Sequence, residues 1–297
     1  PMITAMDSDL ALRQVGGRRA FLRDAAALAA LAALPARAAD SPLRVGLTPV
    51  FLDDQMSFLS QWRSWLEAKL ARSVAFVQRG SYREIMDLLR AGKLDFAWVC
   101  GYPYVRHRHE LALVAVPLWR GGPWYQSYLI VPADDTRTAT LAELRDKVFA
   151  YSDPDSNSGY LYPRYLLTTQ GENPDDFFSR SFFTWAHRKV VEAVGIALAD
   201  GGAVDGYVWE TLAESHPDLT RATRVIERSP PLGYPPFVAR ADIPADDLAR
   251  FRTVLLEMAA DPQGMALLRR LRLDGFTPGA PALFDEIARM AARVGTP

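Results

Sequence analysis

The chain has 297 residues and a formal net charge of −1, with 49% hydrophobic and 23% charged residues. This composition is typical of a globular protein with enough core for one large or two smaller domains, and the near-neutral charge does not indicate a nucleic-acid surface or a polybasic membrane patch. No GxGxxG, P-loop, HExxH or GxSxG motif is present, and the one cysteine and four histidines do not have zinc-ligand spacing, so we expect neither cofactor nor metal.

Residues 1–38 have the pattern of an export signal. Arg18 and Arg19 precede an Ala/Leu-rich run at residues 25–34, and an A-x-A-like cleavage site follows at Ala36-Arg37-Ala38. The run is too short to cross a bilayer, and the paired arginines favour a twin-arginine signal over the alternative of an ordinary signal peptide. We predict a periplasmic mature protein that is a soluble monomer.

Export gives the single cysteine a particular meaning. A chain with one thiol cannot form an internal disulfide, so Cys100 is either buried and inert or a free thiol with a function. The sequence leaves both possibilities open.

Beyond the signal, apolar periodicity alternates between the strand and the helix pattern. A first helix opens at Asp53 and Asp54, with apolar residues at helical spacing as far as Leu70. Strands are predicted at residues 43–47, 74–77, 95–99, 111–118, 125–131, 148–151, 182–185, 204–208 and 237–240. Further helices are predicted at residues 82–89, 141–144, 158–167, 189–198, 245–258 and 281–294.

This order predicts an α/β fold with mostly parallel sheets and flanking helices. We expect two lobes, because one alternating unit ends near residue 131 and a second follows it. Lobe 1 comprises residues 39–131 and 235–297, and lobe 2 comprises residues 132–234. Since small ligands favour the carboxyl ends of strands and the interface between domains, we expect a ligand cleft between the lobes.

The segment most informative about chemistry follows the predicted strand at 148–151. Its Ser156, Asn157 and Ser158 open a helix, so they place side-chain donors beside the unpaired backbone N–H groups of a helix start. Such a start can hold a small oxyanion without a formal positive charge. The alternative is that Ser156 or Ser158 only caps the helix.

Several short segments, in this order and spacing, resemble one known family over residues 43–275. They include Gly80-Ser81-Tyr82, Gly101-Tyr102-Pro103-Tyr104, the run from Asp153 to Pro163, His187 with its following valines, and Val204-Asp205-Gly206. The family is the PhnD-like periplasmic substrate-binding proteins of phosphate, phosphite and phosphonate ABC transporters.

The resemblance implies a type II periplasmic-binding-protein fold that closes over an oxyanion and delivers it to an inner-membrane ABC permease. It also implies the residues that hold the ligand: Tyr82, Tyr102 or Tyr104, Ser156, Asn157, Ser158, His187 and Asp205. Asn157 stands where the family commonly has threonine. The residues themselves leave His187 the alternative of a helix cap and Asp205 that of a structural strand-end residue.

Two further classes of function can be compared with the sequence, a ligand sensor and an enzyme. Periplasmic arsenite sensors within this broad family recognise their ligand through a cysteine and act on a two-component histidine kinase. Cys100 is compatible with that role, because trivalent arsenic favours thiolate, although one thiol makes a weak site. An enzyme is not expected, because the candidate residues contain no paired nucleophile and base.

Overall fold

The structure is a computed structural model, and it describes residues 41–48 and 56–295. The predicted signal at 1–38 and the predicted helix start at Asp53 and Asp54 lie outside the described residues. No helix in the described ranges is long and apolar enough to cross a bilayer.

Thirteen strands and ten α-helices lie within the described ranges. The strands are β1 Leu43–Leu47, β2 Val74–Gln78, β3 Phe96–Trp98, β4 Leu111–Leu118, β5 Trp124–Tyr125, β6 Ser127–Pro132, β7 Val148–Tyr151, β8 Arg180–Phe183, β9 Gly201–Asp205, β10 Thr223–Arg228, β11 Leu232–Gly233, β12 Phe237–Arg240 and β13 Gly275–Thr277. The helices are α1 Met56–Leu70, α2 Tyr82–Arg90, α3 Gly101–His107, α4 Tyr162–Thr169, α5 His187–Gly195, α6 Gly206–Ser215, α7 Pro217–Arg221, α8 Ala245–Leu256, α9 Pro262–Arg270 and α10 Asp285–Val294.

These strands form two large sheets. The six-stranded sheet has the order β13-β4-β12-β3-β1-β2, and the five-stranded sheet has the order β10-β6-β9-β7-β8. We call the parts of the molecule built on them the six-stranded half and the five-stranded half. A small ribbon pairs β5 with β11 antiparallel, at the two places where the chain passes between the halves.

The expectation of mostly parallel sheets is wrong, because the sheets are mixed. Within the described ranges four strand pairings are parallel and six are antiparallel. Strand β12 returns from the five-stranded half and begins beside the end of β3, so it runs antiparallel to that strand. Strand β6 likewise begins beside the end of β9, where Ser127 pairs with Asp205.

The passage between the halves also differs from the expected boundary at residues 131 and 132. Strand β6 belongs to the five-stranded sheet, so the chain leaves the six-stranded sheet before Ser127. Pro132 ends a strand and does not mark the passage. The C-terminal helix α10 packs against α3 of the six-stranded half and also against α4 of the five-stranded half.

Apolar packing explains the six-stranded half. Helix α1 buries Trp62 and other apolar residues of the predicted stripe against the sheet. The Trp62 ring lies 5.3 Å from that of Phe76 and 6.1 Å from those of Trp98 and Phe237. The central strand β3 of this sheet is buried at every position.

The observed helix boundaries differ most from the predicted ones where a capping residue starts the helix. The predicted strand at 204–208 ends at Asp205, because the Asp205 carboxylate accepts hydrogen bonds from the backbone N–H groups of Tyr207 and Val208 and starts α6. The predicted helix at 158–167 begins as a π-helical turn, Asn157–Leu161, and continues as α4.

Candidate functional site

The predicted helix start lies in the interior of the molecule. Ser156 is fully buried and is the N-cap residue, since its Oγ accepts a hydrogen bond of 3.0 Å from Gly159 N. Asn157 and Ser158 are also buried. The capping alternative is therefore correct for Ser156, and it places the next two side chains at the interface between the two halves.

Contacts across this interface bring four predicted residues together. Asn157 N donates to Cys100 Sγ at 3.2 Å, and Tyr82 Oη lies 3.2 Å from His187 Nε2. Tyr82 and Cys100 follow β2 and β3 of the six-stranded half, whereas Asn157 and His187 belong to the five-stranded half. We call Tyr82, Cys100, Tyr125, Ser156, Asn157, Ser158, His187 and Asp205 the polar cluster.

His187 is the first residue of α5 and not its cap, which is Ala186. Its side chain is buried, and both ring nitrogens meet protein groups, Nε2 facing Tyr82 Oη and Nδ1 accepting from Asp205 N at 3.0 Å. Burial lowers the pKa of His187 to about 3, so the ring is uncharged at neutral pH.

Asp205 joins the cluster from the end of β9. Its structural role is confirmed, because the carboxylate caps α6. Burial raises the pKa of Asp205 to about 7, and the hydrogen bonds from the α6 backbone oppose that rise. The carboxyl group therefore titrates near neutral pH inside the cluster.

Cys100 ends the turn after β3 and precedes α3. The side chain is buried, and burial raises the pKa of the thiol to about 11, although the N–H of Asn157 partly opposes this shift. A protonated thiol is a weak nucleophile. Cys100 is thus a neutral member of the cluster.

The other two candidate tyrosines make ring contacts with residues outside the cluster. The Tyr104 ring packs against Phe284 at 4.7 Å, and the Arg106 guanidinium lies 5.5 Å from the centroid of the Tyr102 ring. The resemblance left open which tyrosine faces the ligand. Of the three candidates, Tyr82 is the one that contacts a cluster residue of the opposite half through its hydroxyl.

Tyr125 belongs to the cluster and was not predicted. Its hydroxyl accepts a hydrogen bond of 2.8 Å from Asn157 Nδ2, and the residue is buried. Burial, followed by the nearby Cys100 and Asp205, raises the pKa of its phenol well above the ordinary value. The sequence predicted Tyr125 as the first residue of a strand at 125–131, but it belongs to the separate two-residue strand β5. So short a strand carries no periodic signal, and the sequence could not indicate that this tyrosine faces inward.

Ser152 and Asp153 support the cluster and were also missed as contacts. Asp153 Oδ2 accepts from Tyr82 N at 3.1 Å, which ties the turn after β7 to the start of α2. A Cβ on Gly159 would lie 1.9 Å from Ser152 Oγ and 3.1 Å from His187 Cε1. Both residues directly follow a parallel strand, and the rule that sites gather at strand carboxyl ends could have found them.

Three buried polar atoms beside the helix start make no hydrogen bond: Ser152 Oγ, Asn157 Oδ1 and Ser158 Oγ. Unpaired buried polar groups are rare in folded proteins and mark a place where a polar partner is stabilising. The cluster contains hydroxyl, amide, thiol, imidazole and carboxyl groups but no lysine or arginine. It can therefore bind an oxyanion through neutral donors.

Ion pairs of Asp155, the residue before Ser156, connect the two halves beside the cluster. Asp155 of the five-stranded half lies 2.9 Å from Arg106 and 3.6 Å from Arg83, both of the six-stranded half. The Asp155 side chain is mostly buried. In the described ranges, no three His, Cys, Asp or Glu residues are grouped so that they could hold a metal ion.

Two sheets that meet over a buried polar cluster are the architecture of periplasmic substrate-binding proteins, and solved structures share it. The binding component of an ABC phosphonate transporter from Pseudomonas aeruginosa superposes with a TM-score of 0.79 at 21% identity, covering 86% of this chain and 87% of that one. PhnD1 from Prochlorococcus marinus, solved with methylphosphonate, gives 0.78 at 19% identity, covering 86% and 98%.

Sequence comparison identifies the family. The model of the ABC transporter phosphonate periplasmic substrate-binding proteins matches residues 45–284, and the chain belongs to that family. The phosphonates-binding periplasmic protein of Escherichia coli strain K12 is 24% identical over 80% of this chain and 72% of its own length. The phosphate-import protein PhnD of Mycolicibacterium smegmatis is 28% identical over 50% of this chain and 49% of its own length.

The expected family, the α/β class of the fold and the function as a periplasmic substrate-binding protein of an ABC transporter are confirmed. The matched family is one of substrate-binding proteins.

Proposed function

We propose that this protein captures a small phosphorus oxyanion, such as a phosphonate, phosphite or phosphate, in the polar cluster and releases it to an inner-membrane ABC permease. One observation carries the proposal: the buried helix start at Ser156–Ser158 contacts Cys100 and Tyr125 through Asn157, with no cationic side chain in the polar cluster. Relatives described as phosphonate-binding and phosphate-import proteins support the ligand class.

The ligand would be held by neutral donors. Ser158 Oγ has no hydrogen-bond partner and can donate its proton, and Asn157 Nδ2, which donates to Tyr125 Oη, has a second N–H. Hydrogen bonds from neutral donors to an ionised acceptor are stronger than those between neutral groups. Asn157 keeps a donor where threonine is common, but its longer amide changes the shape of the cavity, so the preferred oxyanion is to be found by experiment.

The two halves would act as the lobes of a closing receptor. We propose that the ribbon of β5 and β11 is the hinge, because the two chain passages between the sheets pair there. The expected lobes are residues 39–131 with 235–297 and residues 132–234. In the proposed receptor, β6 would belong to the second lobe. Closure would form the contacts of Tyr82 with His187 and of Arg106 with Asp155.

We further propose that residues 1–38 direct export to the periplasm as a twin-arginine signal and that the mature protein is a monomer. The Arg18-Arg19 pair and the following apolar run support the first statement.

A second candidate function has one observation in its favour. Cys100 lies in the cluster, in contact with Asn157 N, where a thiol would meet a metalloid ligand. The alternative function is therefore a sensor that binds arsenite and acts on a histidine kinase. The match to a family of transport receptors favours the transport function over this sensor. A histidine kinase sensor domain shares the fold at a TM-score of 0.58 and 17% identity, which shows only the fold.

A thermal-shift screen tests the proposal. Phosphate, phosphite, methylphosphonate, sulfate, arsenate and arsenite are compared on the parent protein. A ligand present at about 100 times its Kd stabilises by about 2.7 kcal/mol, so a phosphorus oxyanion should raise the Tm clearly. A response to arsenite alone would support the sensor, and no response to any phosphorus oxyanion would contradict the proposed function.

A further inference from the structure

Ion pairs between the two halves are sorted by charge. In each of four such pairs the six-stranded half provides the arginine, and the five-stranded half provides the carboxylate. The pairs are Arg83–Asp155, Arg106–Asp155, Arg120–Glu210 and Arg272–Glu214. When the halves separate, these arginines lose their partners, so one half would present unpaired positive charge to the open interface.

Two of these pairs lie beside the polar cluster. Arg83 directly follows Tyr82 at the start of α2, and Asp155 directly precedes Ser156. Arg106 belongs to α3, and its Nη1 donates to Asp155 Oδ1 at 2.9 Å. The Asp155 side chain is 8% exposed, whereas those of Arg106 and Arg83 are 29% and 68% exposed. A single buried carboxylate of one half therefore pairs with two more accessible arginines of the other.

The cluster by itself does not attract an anion from a distance. Its donors are neutral, and Asp205 becomes negatively charged as the pH rises above its pKa of about 7. A second carboxyl group, that of Asp153, lies beside the cluster and accepts from Tyr82 N. A cationic group nearby would offset the repulsion between these carboxylates and an arriving oxyanion. Arg83 and Arg106 can provide that charge next to the helix start.

Resting on the proposed function, we propose that Arg83 and Arg106 attract the oxyanion to the open receptor and that Asp155 neutralises both arginines when the halves close. In the open form Asp155 moves away with the five-stranded half, and the guanidinium groups are free to face the arriving anion. On closure the anion is held by the neutral donors of the cluster, and the arginines pair with Asp155. The arginines therefore govern the rate of capture, and Asp155 governs the lifetime of the closed complex.

Stopped-flow fluorescence with methylphosphonate measures the two rates separately. Arg83→Gln/Arg106→Gln should lower kon by about 10-fold at low ionic strength, the lower end of the range that electrostatic steering provides. The kon of the parent should fall between about 10 mM and about 1 M salt, because the screening length falls from about 30 Å to about 3 Å. The same salt series should change the kon of the double variant much less.

Arg90→Gln/Arg145→Gln is the matched control for the loss of two positive charges. Arg90 lies at the other end of α2 and pairs with Glu110 at 2.7 Å, and Arg145 pairs with Glu172, so each ion pair lies within one half. The control should keep kon within about 2-fold of the parent, because its charges lie away from the interface. An equal fall of kon in the control would show an effect of net charge alone and would overturn the proposal.

Asp155→Asn distinguishes attraction of the ligand from a simple latch between the halves. It removes the carboxylate at nearly constant size and leaves both arginines in place. We expect koff to rise by about 5-fold, the equivalent of about 1 kcal/mol of ion pairing, while kon stays the same or rises. If Asp155→Asn and the arginine double variant both raise koff and leave kon unchanged, the arginines act only as a latch, and the proposal is wrong.

The salt series on the parent protein covers the case in which the arginine double variant does not fold. A kon that does not change with salt would overturn the attraction of the ligand, while binding of methylphosphonate would still support the proposed function. If the parent binds neither methylphosphonate, phosphite nor phosphate, the proposed function has failed, and the role of the arginines in capture fails with it.

Discussion

The carboxyl group of Asp205 should make the protein less stable as the pH rises. Burial raises its pKa from 3.8 to about 7, so between these values the native state binds more protons than the unfolded state. Stability then falls with rising pH across this window, and the full penalty is present above about pH 7. Asp205→Asn removes the titration but keeps an oxygen that can accept from Tyr207 N and Val208 N.

The size of the effect follows from the shift in pKa. Between pH 5 and pH 8 the penalty on the parent grows by about 3 kcal/mol, because about two pKa units separate pH 5 from the titration of Asp205. The low pKa of His187 acts with the opposite sign at acid pH, but it is present in both proteins and cancels in their difference.

Urea unfolding of both proteins at the two pH values is the assay. Asp205→Asn should gain about 3 kcal/mol relative to the parent on going from pH 5 to pH 8. Asp200→Asn is the matched control. It also removes a carboxylate next to a strand that accepts from a backbone N–H, here that of Val148, but Asp200 is exposed. Identical pH dependence of the parent and Asp205→Asn would refute the reasoning.

Three other outcomes are expected. Gly159→Ala should lower the free energy of unfolding by about 1–3 kcal/mol, because a Cβ would overlap a serine hydroxyl, whereas Gly80→Ala has space; equal urea midpoints would contradict this. Arg106→Ala should weaken oxyanion binding about 5-fold in calorimetry through loss of an ion pair between the halves, whereas Arg164→Ala, whose ion pair lies within one half, should not. Cys100→Ser should keep the Kd for methylphosphonate within about 3-fold and lose about 1–3 kcal/mol of stability; loss of tight arsenite binding would instead support the sensor.

Strong periodic signals gave the most accurate predictions of the fold. The strands at 111–118 and 148–151 were predicted to the residue, because each is an apolar run bounded by polar or turn residues. Helix α3 was not predicted, because it is short and contains a proline. Proline is tolerated in the first turn of a helix, where its missing N–H needs no partner, and Pro103 is the third residue of α3.

The mixed direction of the sheets could not be predicted, because it depends on where the chain enters each half. Local pattern identifies β12 as a strand but does not say that it inserts between β3 and β4. That strand order depends on the tertiary structure, because the chain passes from one sheet to the other and back.

Only part of the candidate site was predicted, because it too depends on tertiary structure. Asn157 and His187 follow strand ends, and the structure brings them to the predicted interface. Tyr125 has no pattern of its own, and it belongs to the cluster only because Asn157 reaches it from the other half. Residues that act through contacts between distant segments leave no local signal.

Calorimetric titration of methylphosphonate into the parent and into the Ser156→Ala/Asn157→Ala variant tests the central claim most directly. The parent should bind, and the variant should lose about 10-fold or more per removed hydrogen bond to the oxyanion, while loss of the cap lowers its stability by only about 1 kcal/mol. Normal binding by a folded variant would contradict the claim that the helix start at Ser156 holds the ligand.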